Sequence, residues 1–428
     1  MTRRAVLTLA AAAFLLHTPL PAQTLRDEIV QLFTFGTCGE PLCLEGALGE
    51  HGGHFIPAAV TSTDRVISFV QNAIGNSIAD IPISAASGGT SYRFEGGVPV
   101  ATTTSAGPIF AERAQTLGRG RFFIGLNVTG QHFSSMRGVS MDNLGFTFTH
   151  ADTDPIDTLG SPTFENETIA VQVAMDVSLL VTTAFASWGI VDGVDIGVAV
   201  PLVHTSLSGS SVAQIQPFGA GTPHRFATDV NGNPVLTAVS SADASASGVG
   251  DVAARLKINI FQSSKVGVAI LGDARFPTGD EQNLLGAGAF SGRGYGIVSM
   301  RFGDFSPHAN LGYVFRDDSL QNNGVLAVAG FDHLLGSWAT LAVDFLSEWQ
   351  VGDSKLQLPE PVTYQAPYVR TIQTTVIPDK QDDYAALSVG FKFNTGRGMT
   401  LVANALFPLL DSGVQPTAVW TGGLEYNF

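Results

Sequence analysis

From Asp251 to Ile260 the chain alternates without a slip. Asp251, Ala253, Arg255, Lys257 and Asn259 fall on one side, and Val252, Ala254, Leu256, Ile258 and Ile260 on the other. A strand sends successive side chains to opposite faces, so this stretch reads as a strand with one polar and one apolar face. Gln262 to Lys265 reads as a tight turn. The alternation then resumes, with Val266, Val268, Ile270 and Phe276 opposed to Gly267, Ala269, Asp273 and Arg275. Such a hairpin suits a soluble sandwich with its charges in water. It equally suits a membrane barrel with its apolar face in lipid and its charges in the lumen.

The N-terminus favours the barrel. Met1 to Ala22 reads as a secretory signal: Arg3 and Arg4 precede an apolar run from Ala5 to Leu16, and Leu20-Pro21-Ala22 offers a cleavage site before Gln23. No later stretch reaches the ~20 apolar residues of a spanning helix. The expected product is exported without a transmembrane helix. The chain carries 22 Lys and Arg against 37 Asp and Glu, net −15, which argues against a nucleic-acid partner, since that needs a basic face. Only 14% of residues are charged, against ~25% in soluble domains. The 48 Gly and 28 Phe suit a lipid-facing β surface.

Three regions follow. Residues 1–22 are the signal, 23–118 an N-terminal periplasmic or luminal plug-like segment, and 119–428 the transmembrane barrel. The middle region has helical patterns at Asp64 to Ile78 and Pro108 to Leu117, separated by Gly-rich breaks. Barrel alternation starts at Arg121, with Phe122, Ile124, Leu126 and Val128 out and Gly125, Asn127 and Thr129 in. In Thr168 to Phe185 the membrane rule puts Val173, Met175, Val177, Leu179 and Val181 out, and Gln172, Asp176, Ser178 and Thr182 in. Ser134 to Asn166, Ser206 to Ser247 and Gly352 to Gln381 read as long polar intervals. Twelve strands result, joined alternately by short and long connections. Outer-membrane barrels have this asymmetry, with tight turns on the periplasmic side.

The last strand ends on Tyr426-Asn427-Phe428. A terminal aromatic of this kind resembles the signal read by the barrel assembly machinery, so Tyr426 and Phe428 are the expected assembly residues. Phe428→Ala is expected to slow insertion and leave chain in the periplasm; an unchanged yield of heat-modifiable barrel would remove that role.

The expected luminal charges are Arg121, Asp176, Asp251, Arg255, Lys257, Asp273, Arg275, Arg293, Arg301, Arg316, Asp332, Asp344, Glu348, Lys392 and Glu425. Both signs recur on successive strands, as in a salt-bridge network that holds a narrow lumen in register. The same ring of charges suits a selectivity lining. Cys38 and Cys43, close together in an exported chain, read as a local disulfide. Glu50-His51-Gly52-Gly53-His54 offers nitrogen donors and Asp152, Asp154 and Asp157 offer carboxylates, but neither set has the spacing of a metal site. No Gly-x-Ser-x-Gly elbow occurs and no cofactor motif is present.

Arg275-Phe276-Pro277-Thr278-Gly279-Asp280-Glu281, then Asn283-Leu284-Leu285-Gly286, then Phe305-Ser306-Pro307-His308-Ala309-Asn310-Leu311-Gly312-Tyr313 carry a family resemblance. With Gly248-Val249-Gly250-Asp251 before them, they resemble outer-membrane proteins of the MetA-pathway of phenol degradation family, grouped loosely with long-chain fatty-acid channels. The resemblance implies an all-β, twelve-stranded outer-membrane barrel in contact with lipid. It implies passive uptake of small hydrophobic or aromatic solutes rather than catalysis. The rivals are a general porin, a structural barrel with a sealed lumen, and an outer-membrane hydrolase, which would need a luminal Ser–His pair.

Overall fold

The computed structural model describes residues 23–36, 41–42, 44–46, 67–75, 92–95, 98–101, 105–150, 152, 158–161, 163–219, 224–317, 320–395 and 398–427. Twelve antiparallel strands close into a barrel. They are β1 (Phe122–Met136), β2 (Thr168–Val191), β3 (Val194–Gln216), β4 (Val252–Gln262), β5 (Val266–Phe276) and β6 (Ser291–Met300). The circuit continues with β7 (Phe305–Arg316), β8 (Gly324–Gly336), β9 (Ala339–Gln350), β10 (Tyr384–Asn394), β11 (Met399–Pro408) and β12 (Val414–Asn427). Each strand pairs with the next, and β12 closes on β1 through Tyr426↔Ile124 and Trp420↔Gly130. Closure leaves the membrane-facing wall without an open edge, the condition for strands to survive in lipid.

Short turns gather at one end, with the start of β1 and the end of β12, and the longer connections gather at the other. In the short-turn half the outward side chains are apolar and exposed, among them Phe122, Ile124, Leu256, Ile270 and Leu401. Aromatic pairs mark its lower border: Phe122 stacks on Trp188 and Trp338 on Phe393. Phe276 with Phe290, and Phe407 with Trp420, mark the upper one. Two aromatic belts flanking an apolar band are the mark of a membrane barrel.

β2 and β3 rise well above that band. They have 24 and 23 residues, where a tilted membrane strand needs only ~9–11. Along β2 the pattern inverts. Near the turn, Trp188 and Leu180 face out, and Ser187 and Thr183 face in; higher up, Gln172 and Asp176 face out, and Val171, Val173, Met175 and Val177 are buried inside. Asp176 therefore does not line the lumen: its side chain is 59% exposed on the outer surface, beside His132. The membrane rule assigns the wrong faces here because this part of the strand has water outside and packed protein inside.

The interval from Ser206 to Ser247 is likewise largely strand. β3 continues to Gln216, and Thr237–Val249 pairs along its upper half down to Val249↔Leu202. β4 takes over the same edge from Ala253↔Ala199. Thr237–Val249 and β4 are thus one long strand broken at Gly250-Asp251. The ladder to β5 begins only at Val252↔Phe276, so the wall above the break has no strand partner on that side among the described residues.

The apolar inner faces of β2 and β3 enclose the N-terminal region. Helix α1 (Leu25–Gln31) is capped by Thr24 and Asp27 in a reciprocal capping box. Its Leu25 and Ile29 join Phe33, Phe69, Val70, Val173, Val177 and Leu207 in one buried cluster. Residues 67–75 are helical, within the expected 64–78. The expected helix from Pro108 to Leu117 does not form; the segment is irregular. On the long-loop side, Arg370 lies over the Phe218 and Tyr364 rings, at 4.4 and 4.7 Å. Burial pushes the Tyr364 phenol up to about 12, which keeps this packed group neutral. The signal segment, Cys38, Cys43, His51, His54, Asp154, Asp157 and Phe428 lie outside the described residues.

Candidate functional site in the lumen

The segment from Ser105 to Leu117 crosses the lumen as an extended thread. Its backbone N–H groups bond to side chains of the wall instead of to one another, and for that reason no helix forms. Ala106 N donates to Thr340 Oγ1 (3.1 Å), Glu112 N to Asn310 Oδ1 (2.8 Å), Ala114 N to Ser299 Oγ (3.1 Å) and Leu117 N to Asp195 Oδ2 (2.9 Å). These partners come from β9, β7, β6 and β3. The thread is thereby bonded to four strands of the wall.

Its charges complete the wall network. Glu112 reaches Arg255 (Oε1 to Nη1, 2.9 Å) and Lys257 (Oε2 to Nζ, 2.6 Å). Arg113 Nε donates to Asp332 Oδ1 at 2.9 Å, and Ser105 bonds the other oxygen of Asp332. His308 Nε2 contacts Asp344 at 2.7 Å. Elsewhere on the wall Arg316 pairs with Glu348 at 2.6 Å and Lys392 with Glu425 at 3.0 Å. Asp273 lies 3.5 Å from Arg255 and 3.9 Å from Arg275.

Most of the sequence-derived charges are thus placed together in the lumen: Arg255, Lys257, Asp273, Arg275, Arg293, Arg316, Asp332, Asp344, Glu348, Lys392 and Glu425. Arg121 is half-buried at the foot of β1, and Arg301 is exposed beside the β6–β7 turn. Asp251 serves a different structure. Its carboxylate accepts the N–H groups of Gly279 (3.0 Å) and Ala287 (2.7 Å), while Thr278 Oγ1 donates to Gly250 O (2.7 Å). The loop from Pro277 to Phe290 is thereby clasped to the strand break. It buries Leu284 and Leu285 inside and holds α1 through Arg26 and Glu281 at 3.0 Å.

Gly286 has no room for a side chain there, since a Cβ would lie 2.4 Å from Asp251 Oδ1. Gly286→Ala is expected to cost about 1–3 kcal/mol through overpacking. Limited proteolysis within 277–290 should accelerate; unchanged cleavage would show that the loop is held by other contacts.

Two cavities of about 110 Å3 each stack above the thread. The upper is bounded by Ala73, Phe133, Leu356, Val414 and Arg316. The lower is bounded by Phe110, Glu112, Arg255, Arg293, Leu326 and Leu346. Glu348 and Tyr384 line both and stand between them. The residues that sequence reasoning missed are Glu112, Arg113 and Tyr384, while His308 and Asn310 stood in the family motif but not among the expected luminal charges. Glu112 and Arg113 carried a signal, two adjacent opposite charges directly after the apolar Ile109-Phe110-Ala111.

Two Ser–His contacts occur among the described residues, His132–Ser178 at 3.2 Å and His204–Ser247 at 2.7 Å. Both lie on the outer face, not in the lumen. Asp176 meets His132 through the same Nδ1 that meets Ser178, so no relay runs through the ring. No group of three metal-ligating side chains occurs among the described residues.

No curated protein sequence matches the chain. An outer membrane channel from Pseudomonas putida F1 aligns over 74% of this chain and 98% of its own, at 10% identity and a TM-score of 0.40. A TodX monoaromatic hydrocarbon channel variant aligns over 72% and 89%, at 12% identity and 0.33. A FadL homologue of Pseudomonas aeruginosa aligns over 72% and 89%, at 10% identity and 0.31. The family described as "Putative MetA-pathway of phenol degradation" matches residues 157–412. That span holds β2 to β11, the strand break and the clasped loop, and the chain belongs to this family.

Proposed function

We propose that the protein is an outer-membrane channel for passive uptake of small hydrophobic or aromatic compounds, with its short-turn end at the periplasm. The observation that carries this reading is the divided lumen: two small, part-apolar chambers in series above a bonded thread. A general porin needs a continuous aqueous bore, and the thread fills that space. Solutes small enough for the chambers would pass by shifting Tyr384 and the thread, or leave through the wall at the Gly250-Asp251 break.

The test is uptake into liposomes that hold the full chain. Benzyl alcohol should enter in a protein-dependent manner, and a sugar of similar size should not. Equal passage of both would make the protein a general porin, and passage of neither a sealed structural barrel.

The orientation has its own test. Val230 is fully exposed and Val369 is 69% exposed, both on long connections. Protease added to intact cells is expected to cut near one of them. Surface labelling of a tag between Ser263 and Ser264 instead would reverse the orientation.

A further inference from the structure

We propose that the lower chamber is a binding site for a single-ring aromatic carboxylate, whose charged group takes the place that Glu112 now holds between Arg255 and Lys257. This deepens the channel reading and rests on it.

The chain itself shows that a carboxylate fits there. Glu112 puts one oxygen 2.9 Å from Arg255 Nη1 and the other 2.6 Å from Lys257 Nζ. Yet Glu112 is not part of the wall. Its backbone is held separately, with its N–H donated to Asn310 Oδ1 at 2.8 Å and its carbonyl accepting from Asn310 Nδ2 at 2.9 Å. The side chain can therefore swing away without unthreading the segment, and a second carboxylate can take its place between the same two cations.

Charge and size both select the ligand. The whole chain is net −15. The chamber and its immediate pairs nevertheless hold five cations (Arg255, Lys257, Arg275, Arg293 and Arg316) against Glu112, Asp273, Glu348 and, below the thread, Asp195. Each cation attracts an anion more strongly in such a low-dielectric space than at the surface, and that attraction must offset the anion's loss of water. Phe110, Leu326, Val328, Leu346 and Tyr384 give the chamber an apolar face for a ring, with the polar groups of Tyr295, Asn310 and Ser347 elsewhere on the wall. An engineered cavity of about 150 Å3 accepts one benzene. At about 110 Å3 this chamber accommodates one ring once Glu112 gives way. A long acyl chain does not fit, and a sugar finds too few polar partners on the apolar side.

The experiment is calorimetric titration of the full chain in detergent with benzoate and with benzyl alcohol at neutral pH. Benzoate should bind at least tenfold more tightly. Arg255→Gln should remove that preference by weakening benzoate binding about tenfold or more. Glu112→Gln should strengthen benzoate binding, because the internal competitor has lost its charge. Should Glu112→Gln fail to assemble, the wild-type comparison alone decides. Equal affinity for the two ligands would overturn the proposal while leaving the channel for neutral aromatics intact. Binding of neither would overturn it too, and liposome uptake of benzyl alcohol would then show whether the channel reading survives.

Discussion

Deleting residues 23–117 is expected to convert a nearly silent barrel into a conducting pore. The wall does not depend on that segment for closure, because β12 pairs directly with β1 from Asn427↔Phe123 to Val414↔Met136. Deletion removes the thread bonded to Thr340, Asn310, Ser299 and Asp195, and it removes α1 and residues 67–75 from the buried apolar cluster inside β2 and β3. Asp332 and Lys257 then lose Arg113 and Glu112. A buried charge without its partner is very costly, so water must enter to solvate them. Once wetted, a twelve-stranded bore conducts ions. Single-channel current in planar bilayers should rise by about an order of magnitude or more, as expected when a side-chain-filled barrel becomes water-filled. Equal currents before and after deletion would mean that the thread does not close the path.

The alternation of polar and apolar residues made the barrel legible, because lipid outside and charge inside impose opposite demands on neighbouring positions. In β4 and β5 both faces follow that rule: Leu256 and Ile270 are exposed outside, while Lys257 and Arg275 are buried within. β2 and β3 show its limit. Their upper halves keep the period of two but exchange the chemistry of the faces, because water replaces lipid and packed protein replaces the lumen. A period reports that a strand exists. Only the height of each residue relative to the bilayer says which face is which, and height is not written in the local pattern. Asp176 was misplaced for that reason.

The luminal site was half legible. The wall charges could be found because each stands out on an otherwise regular strand. Their partners on the thread could not, because Ser105 to Leu117 has no period of its own. The pairing of Glu112 with Lys257 joins positions far apart in sequence, and nothing local marks either one for the other. The family motif was visible as sequence but not as mechanics. Asp251 looked like another inward charge, yet its oxygens are taken by the Gly279 and Ala287 N–H groups of the clasped loop. A carboxylate followed about thirty residues later by a Gly-rich turn says nothing of that contact until the strand break brings them together.

Lys392→Met is expected to destabilise the barrel by about 3–5 kcal/mol, the cost of breaking a buried ion pair from one side. Lys392 Nζ lies 3.0 and 3.1 Å from the two oxygens of Glu425, and the two side chains are 0% and 4% exposed. They reach each other across β11, where Lys392 pairs with Val402 and Glu425 with Thr400. Without the ammonium, Glu425 is a carboxylate in a dry wall with no second cation paired to it among the described residues. Lys392→Met combined with Glu425→Leu removes both charges and is expected to recover most of the loss, since an apolar pair of similar volume carries no desolvation penalty. Urea unfolding in lipid vesicles, followed by tryptophan fluorescence, measures all four corners of this cycle. A double variant as unstable as the sum of the two single variants would show no coupling between the side chains. Recovery in the double variant would make this pair a device for specifying strand register, not a source of net stability. The same logic would then extend to Arg316 and Glu348, a similar pair at 2.6 Å one chamber higher.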